Sequence, residues 1–250
     1  MLAPLVDIHQ LNKWYTRRNG LFAKPAEPVR AVQDLDLQIF PGERLALIGE
    51  SGCGKTTLAH CLFRLTRPTS GQIFFQGREI GAMQGEELLN FRRQAQFIFQ
   101  DAEAALHPRL TIGSAIAEPC LAHRQLDKKE ARYRALDLLQ HVGLCEEHYH
   151  ALPGELSSGQ RHRAVIARAL ALQPTFLAAD EPFSSLDVLT KSRLLSLFDS
   201  LQRQFGFTYF FISHDLSLVG QWSQRIAVMK EGRIVAIKEN SVPGNSPVGR

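Results

Sequence analysis

R-L-A-L-I-G-E-S-G-C-G-K-T-T, residues 44–57, is the stretch that decides the fold. A P-G-E turn precedes it, Arg44 to Gly49 has the apolar run of a short buried strand, and a helical pattern begins at Lys55 and runs to Leu65. Between them, Gly49, Glu50, Ser51, Gly52, Cys53, Gly54, Lys55 and Thr56 fit G-x-x-x-x-G-K-[ST], with Thr57 next, in the strand–loop–helix setting that this motif requires. The glycines let the backbone wrap closely around a phosphate, so that N–H groups and the helix N-terminus point at the anion. Lys55 brings a point charge to the β and γ phosphates and Thr56 a hydroxyl to Mg2+. A plain glycine turn is the alternative. Cys53 fills a free position of the motif. The loop alone does not separate kinases, GTPases and ATPases.

Outward from this loop the chain alternates strands and helices. Strand patterns fall at Leu5–Leu11, Val32–Phe40, Gln72–Phe75 and Gln96–Phe99. Residues 16–30 read as a loop insertion, and residues 111–143 as helical up to Gly143. E-L-S-S-G-Q-R-H-R, residues 155–163, caps another helix. After it come T-F-L-A-A-D, a helix over Val188–Phe205, F-T-Y-F-F-I-S, a short helix from Asp215, R-I-A-V-M and R-I-V-A-I. Such alternation indicates an α/β fold with a parallel sheet covered by helices. The all-helical middle, about 101–168, reads as an insertion, and 241–250 as a flexible tail.

The 250 residues are 44% hydrophobic and 22% charged, with a formal net charge of +4. This is an ordinary globular composition, and its mild basicity suits a polyphosphate ligand or anionic lipid nearby. No basic block with interleaved aromatics is present, which argues against nucleic acid. The start has no signal-peptide pattern, and no stretch approaches the ~20 apolar residues of a membrane helix. The four cysteines form no C-x-x-C pair. Together these favour a cytosolic chain with reduced thiols. Cys145-Glu-Glu-His148-Tyr-His150 contains metal-ligand types, but its spacing matches no zinc pattern.

Two further strand ends carry polar residues. Asp180 and Glu181 close an apolar strand, where open α/β sheets bind ligands. An Asp there can hold Mg2+ through water and the adjacent Glu can polarise an attacking water; a helix cap is the alternative. His214 closes F-F-I-S, and Gln100 follows Q-F-I-F in the same topological position.

Taken together, these motifs resemble the nucleotide-binding subunit of an ABC transporter, over about Val6 to Ile237. G-E-S-G-C-G-K-T-T resembles its Walker A loop, L-S-S-G-Q its signature, and F-L-A-A-D-E-P its Walker B. S-S-L-D187 resembles the D-loop, His214 the switch histidine and Gln100 the Q-loop glutamine. The resemblance implies a single ATPase domain over 1–240. Its P-loop NTPase core, with a mixed, mainly parallel sheet and an N-terminal antiparallel β subdomain, would cover 1–100 and 169–240. A helical subdomain would be inserted at about 101–168.

It also implies a dimer that sandwiches two ATP molecules, each between the P-loop of one subunit and the signature of the other. Lys55 would bind phosphate, and Thr56, Gln100 and, through water, Asp180 would serve Mg2+. Glu181 would act as general base or orient the water, and His214 would sense the γ-phosphate. Tyr15 in K-W-Y fits the aromatic that stacks on adenine, with Trp14 as runner-up and a core role open for either. Ser157, Ser158, Gly159 and Gln160 would face the nucleotide of the other subunit. Ser158 stands where the family usually has glycine.

The spelling around these motifs is similar to the oligopeptide/dipeptide/nickel importer class, and within it to the second (F-type) ATPase subunit. Expected partners are membrane permeases, a second ATPase subunit, alike or different, and indirectly an extracytoplasmic substrate-binding protein. The expected location is the cytoplasmic face of the inner membrane. The absence of a C-terminal extension with cysteines leans toward a nickel or metallophore member, with peptides still open. An exporter motor and a soluble, non-transport ABC ATPase are the alternatives.

Overall fold

The computed structural model describes residues 2–16, 27–99, 105–182 and 186–240. The chain divides into two compact units, Met1–Leu88 with Phe210–Arg250, and Leu89–Tyr209. Gln100, Ser184 and Ser185 of the D-loop stretch, most of the N-terminal insertion and the tail lie outside the described residues.

The first unit holds an antiparallel sheet of β1 (Val6–Tyr15), β2 (Val29–Ile39), β4 (Ser70–Phe75) and β5 (Arg78–Glu79), in the order β2-β1-β4-β5. Val6, Ile8 and Leu11 of β1 pack with Leu35, Leu37 and Ile39 of β2, all buried. β1 runs past the expected Leu11 because its register shifts instead of ending. Gln10 and Asp34 take positive φ there, and the Asn12 and Asp34 side chains close the irregularity. The Asn12 amide donates to Asp34 Oδ1 at 3.2 Å, and the Asp34 N–H donates to Asn12 Oδ1 at 3.0 Å. A β-bulge survives when side chains satisfy the amides it leaves over.

Beside this sheet in the same unit, β3 (Arg44–Gly49) runs parallel to β9 (Arg225–Lys230), with Leu45 opposite Arg225 and Gly49 opposite Met229. β9 returns antiparallel as β10 (Arg233–Glu239). The Ser213 N–H donates to Leu47 O at 3.2 Å, which sets the end of β8 (Thr208–Ile212) beside β3. Leu45, Ala46 and Leu47 are fully buried, as a strand covered on both faces requires. α1 (Lys55–Leu62) and α7 (Leu216–Trp222) complete the unit.

In the second unit β6 (Ala95–Ile98) lies parallel to β7 (Phe176–Asp180). α3 (Ile112–Ala122), α4 (Lys128–His141) and α5 (Ser158–Leu170) pack on one another through Ile116, Cys120, Ala131, Ala135, Leu138, Ala164 and Ala167, all buried. The alanines let the helices approach closely. Gly113 of α3 has no room for a side chain, since a Cβ there would stand 2.3 Å from the Tyr149 ring. α6 (Val188–Phe205) buries Leu194, Phe198 and Leu201, and Phe198 meets the Tyr209 ring at 5.0 Å.

One helix was not expected. α2 (Gly85–Gln94) buries only Phe91, and Leu88, Leu89 and Phe91 are the only large apolar residues in its short, mostly polar sequence. Parallel strands with helices, and an antiparallel N-terminal sheet, are the α/β class that the sequence implied. Among the described residues no helix is long and apolar enough to cross a membrane.

Candidate functional site

The helix termini separate the two kinds of site. Thr111, Asp127, Ser157, Asp187 and Asp215 cap α3, α4, α5, α6 and α7, each accepting from a backbone N–H with its side chain. Asp127 does so in a reciprocal capping box with Glu130, so the D-K-K-E run is a specific helix start. α1 is different. Its N-cap is Gly54 at φ 109°, with no side-chain cap. No cap side chain covers the first turn of α1, and the helix dipole favours an anion there.

The loop before α1 is shaped by three glycines with different reasons. A Cβ on Gly49 would stand 2.2 Å from Met229 O, and one on Gly54 would stand 1.9 Å from Ala31 O. Gly52 has φ 81° with open space around it, so only its backbone conformation demands glycine. The turn after β9 braces the loop from outside, as the Gly232 N–H donates to Cys53 O at 3.0 Å and the Gln33 N–H donates to Gly232 O at 2.8 Å. Lys55 is 7% exposed, and its Nζ donates to Gly49 O and Glu50 O, both at 2.8 Å. Thr56 is exposed and Thr57 half-buried on the first turn.

In the same unit, Trp14 and Tyr15 are 39% and 42% exposed at the end of β1, so neither is a core residue. Arg30 lies over the Trp14 ring and Lys13 over the Tyr15 ring, at 5.2 and 5.0 Å. His214 is exposed one residue beyond Ser213, at the end of β8 that borders β3. Asp215 caps α7 directly after it.

The second unit carries the acidic pair and the Ser-Ser-Gly-Gln turn. Asp180 is buried at the end of β7. Glu181 follows with φ 45°, an uncommon conformation for a residue with a side chain and a place where local strain is held. Ser157 is the N-cap of α5. Its hydroxyl accepts from the Gln160 N–H at 3.4 Å, and the Gln160 side-chain oxygen accepts from the Ser157 N–H at 2.8 Å. Ser158 is the first helical residue and is not among the positive-φ positions. A side chain there costs no backbone strain, which answers why serine can stand in place of glycine.

Two contacts around this turn were not foreseen. Thr190 Cγ2 stands 3.4 Å from the position of a Cβ on Gly159. His148 Nε2 lies 2.9 Å from Gln160 Nε2. The spacing Cys145-x-x-His148 matches no metal pattern, and nothing in it signals a partner twelve residues on. Cys145 is exposed, with Sγ 3.3 Å from Glu147 Oε2 and 2.9 Å from His148 Nδ1.

A model of the family described as ABC transporter matches residues 32–184, more than half of the chain. The chain belongs to the ABC transporter family. The cassette, as an enzyme of that family, is an ATPase. It is 44% identical over 234 residues to the glutathione import ATP-binding protein GsiA of Pectobacterium atrosepticum and of Escherichia coli K12. That alignment covers 94% of this chain and 38% of each relative, so the cassette spans well under half the length of these curated relatives. Among solved structures it is similar to the dimeric structure of MJ0796, a bacterial ABC transporter cassette. The TM-score is 0.81 at 28% identity, with 94% of this chain and 98% of that one covered. A post-hydrolysis state of MJ0796 bound to ADP and Pi gives 0.80 at 28% identity, with 94% and 98% covered. CbiO1 of Clostridium perfringens, part of the complex cbiONQ, gives 0.81 at 26% identity, with 94% and 88% covered.

Proposed function

We propose that the cassette is the ATP-driven motor subunit of an importer. The observation that carries this reading is the uncapped, glycine-shaped N-terminus of α1, with Lys55 buried beside it. The first-turn amides and Lys55 hold the phosphates of ATP, and Lys55 trades its two loop carbonyls for phosphate oxygens. Gly49, Gly52 and Gly54 let the loop approach them, and the backbone of Glu50, Ser51, Cys53, Thr56 and Thr57 completes the cradle. Tyr15, exposed at the end of β1, stacks on the adenine.

In this reading Thr56, Asp180 and Gln100 serve Mg2+. Among the described residues no group of three or more His, Cys, Asp or Glu is gathered for a metal. A hydroxyl, one carboxylate and phosphate oxygens suit Mg2+ without such a cluster. The ion supplies charge neutralisation on the phosphates. Glu181 takes the proton of the attacking water or orients it, and His214 responds to the γ-phosphate. Ser157, Ser158, Gly159, Gln160 and Asp187 face the nucleotide of a second ATPase subunit, alike or different. MJ0796, a dimeric cassette, supports that pairing.

The domain reading that goes with this is a core over 1–100 and 169–240 with the helical subdomain at about 101–168. Its partners are membrane permeases and, through them, an external substrate-binding protein. The site of action is the cytoplasmic face of the cell membrane. The likeness to glutathione import proteins favours a short peptide as cargo over a nickel or metallophore complex.

Two variants test the reading. Lys55→Ala abolishes ATP binding measured by calorimetry. Glu181→Gln retains ATP, slows turnover at least ~100-fold and accumulates an ATP-bound pair in light scattering. Normal turnover in Glu181→Gln removes Glu181 from its role.

A further inference from the structure

We infer that His148 is a positioning residue for the Ser157–Gln160 turn, acting through the Gln160 side chain. This rests on the reading above, in which that turn faces a nucleotide.

The Gln160 side-chain oxygen is taken by the Ser157 N–H at 2.8 Å. That orients the Gln160 amide, because turning it over would set an NH2 group against the Ser157 N–H, donor against donor. With the oxygen so placed, the NH2 of Gln160 points at His148 Nε2, 2.9 Å away. Nε2 must then accept, and the ring hydrogen sits on Nδ1. Its acceptors are close by, the Cys145 sulfur at 2.9 Å and the Cys145 carbonyl at 3.3 Å. The thiol hydrogen in turn has Glu147 Oε2 at 3.3 Å.

The other tautomer gives a different set. The Cys145 N–H lies 3.2 Å from Nδ1 and would donate to it, leaving the hydrogen on Nε2. Gln160 would then have to turn its oxygen toward His148 and surrender the Ser157 N–H. The imidazole thus chooses between two discrete hydrogen-bond sets: a hydrogen on Nδ1 makes three bonds and keeps the capping box closed at the expense of the Cys145 N–H, whereas a hydrogen on Nε2 makes two and opens the box. A capping box fixes where the first amides of a helix point. Here those are the amides of Ser158, Gly159 and Gln160.

His148 is held so that it can do this. It sits in the 3-10 turn Glu146–Tyr149. The neighbouring Tyr149 ring lies against Gly113 of α3, where no Cβ fits, and Arg132 of α4 covers that ring at 5.3 Å. On the other side, the Arg161 guanidinium donates to Leu156 O at 2.6 Å, and His162 Nδ1 donates to Ser158 O at 3.0 Å. The turn is fastened at both ends, and His148 is the contact that reaches its glutamine from outside α5.

The test uses the full chain. In a Glu181→Gln background, His148→Ala raises the ATP concentration needed for half-maximal pairing by about threefold to tenfold, the range for one neutral hydrogen bond. Binding of a fluorescent ATP analogue to the dilute, unpaired chain stays unchanged. His148→Gln sets an amide oxygen where Nε2 stands and restores pairing to within about twofold of wild type on the same scale. Nitrogen-15 NMR of the ring shows Nδ1 protonated and Nε2 unprotonated, and Gln160→Ala moves the Nε2 signal. A silent His148→Ala beside a damaging Gln160→Ala, failure of His148→Gln to rescue, or a proton on Nε2 overturns the positioning role alone. A silent Gln160→Ala overturns the reading of the turn as nucleotide-facing, and the positioning role with it.

Discussion

Asp187 takes two hydrogen bonds from Thr190, the N–H at 3.0 Å to Oδ1 and the hydroxyl at 2.6 Å to Oδ2. The methyl group of the same threonine faces Gly159, at 3.4 Å from the place of a Cβ. One side chain therefore links the cap of α6 to the first turn of α5. The two donors stabilise the charged carboxylate and hold the Asp187 pKa below its ordinary 3.8. A depressed pKa contributes stability above the unfolded value, and the contribution is lost as the pH falls through the native one. Asp187→Ala therefore lowers the thermal midpoint at neutral pH, and the gap to wild type narrows as the pH drops below 3.8. Asp187→Asn keeps the cap and removes this pH dependence. Melting curves of the three proteins across that range check both statements.

Gly159→Ala separates folding from function. The position has ordinary φ, and the added methyl meets Thr190 at van der Waals distance. Alanine in a helix is favoured over glycine by about 0.5–1 kcal/mol, so the thermal midpoint rises or holds. The same methyl stands over the amides proposed to face a nucleotide, so ATP turnover falls by at least ~10-fold, one hydrogen-bonded contact or more. Turnover equal to wild type contradicts that placement.

The glycines of the phosphate loop differ in a measurable way. Gly52→Ala has space and pays only for a positive φ, about 1–2 kcal/mol. Gly54→Ala adds a collision with Ala31 O to the same conformational cost and exceeds ~2 kcal/mol. Denaturant unfolding ranks the two, and calorimetry shows nucleotide binding lost in Gly54→Ala.

The cysteines are distinguished by exposure. Cys53, Cys61 and Cys120 are buried, and Cys145 is exposed. Burial pushes the Cys61 thiol up to about 11, so it is protonated at neutral pH. The hydrogen bond to Glu147 also raises the Cys145 thiol, which slows it without hiding it. Iodoacetamide on the native protein modifies Cys145 first, read by mass spectrometry, and the other three react only on unfolding.

Much of this molecule was legible in the chain. The phosphate loop could be read because its chemistry needs particular residues at fixed spacing, and Val188–Phe205 because its apolar face is regular. α2 escaped because only Phe91 of its ten residues is buried. β1 was cut short at Leu11 because a bulge closed by Asn12 and Asp34 breaks strict alternation. A helix cap was expected within residues 155–163, and Ser157 provides it, but the His148 contact depends on how a 3-10 turn folds back on α5, and local spacing does not encode that. The Ser158 question needed a backbone angle, which no residue pattern supplies.

Lys55 closes a short circuit of its own. By giving hydrogens to Gly49 O and Glu50 O, the ammonium is already screened by dipoles of the loop that carries it. Any anion must outbid those two carbonyls. A monovalent or singly contacting ion gains little by doing so, whereas a polyphosphate that also collects the first-turn amides gains much. Discrimination against small cellular anions is thus built in as a threshold, set by the protein before the nucleotide arrives.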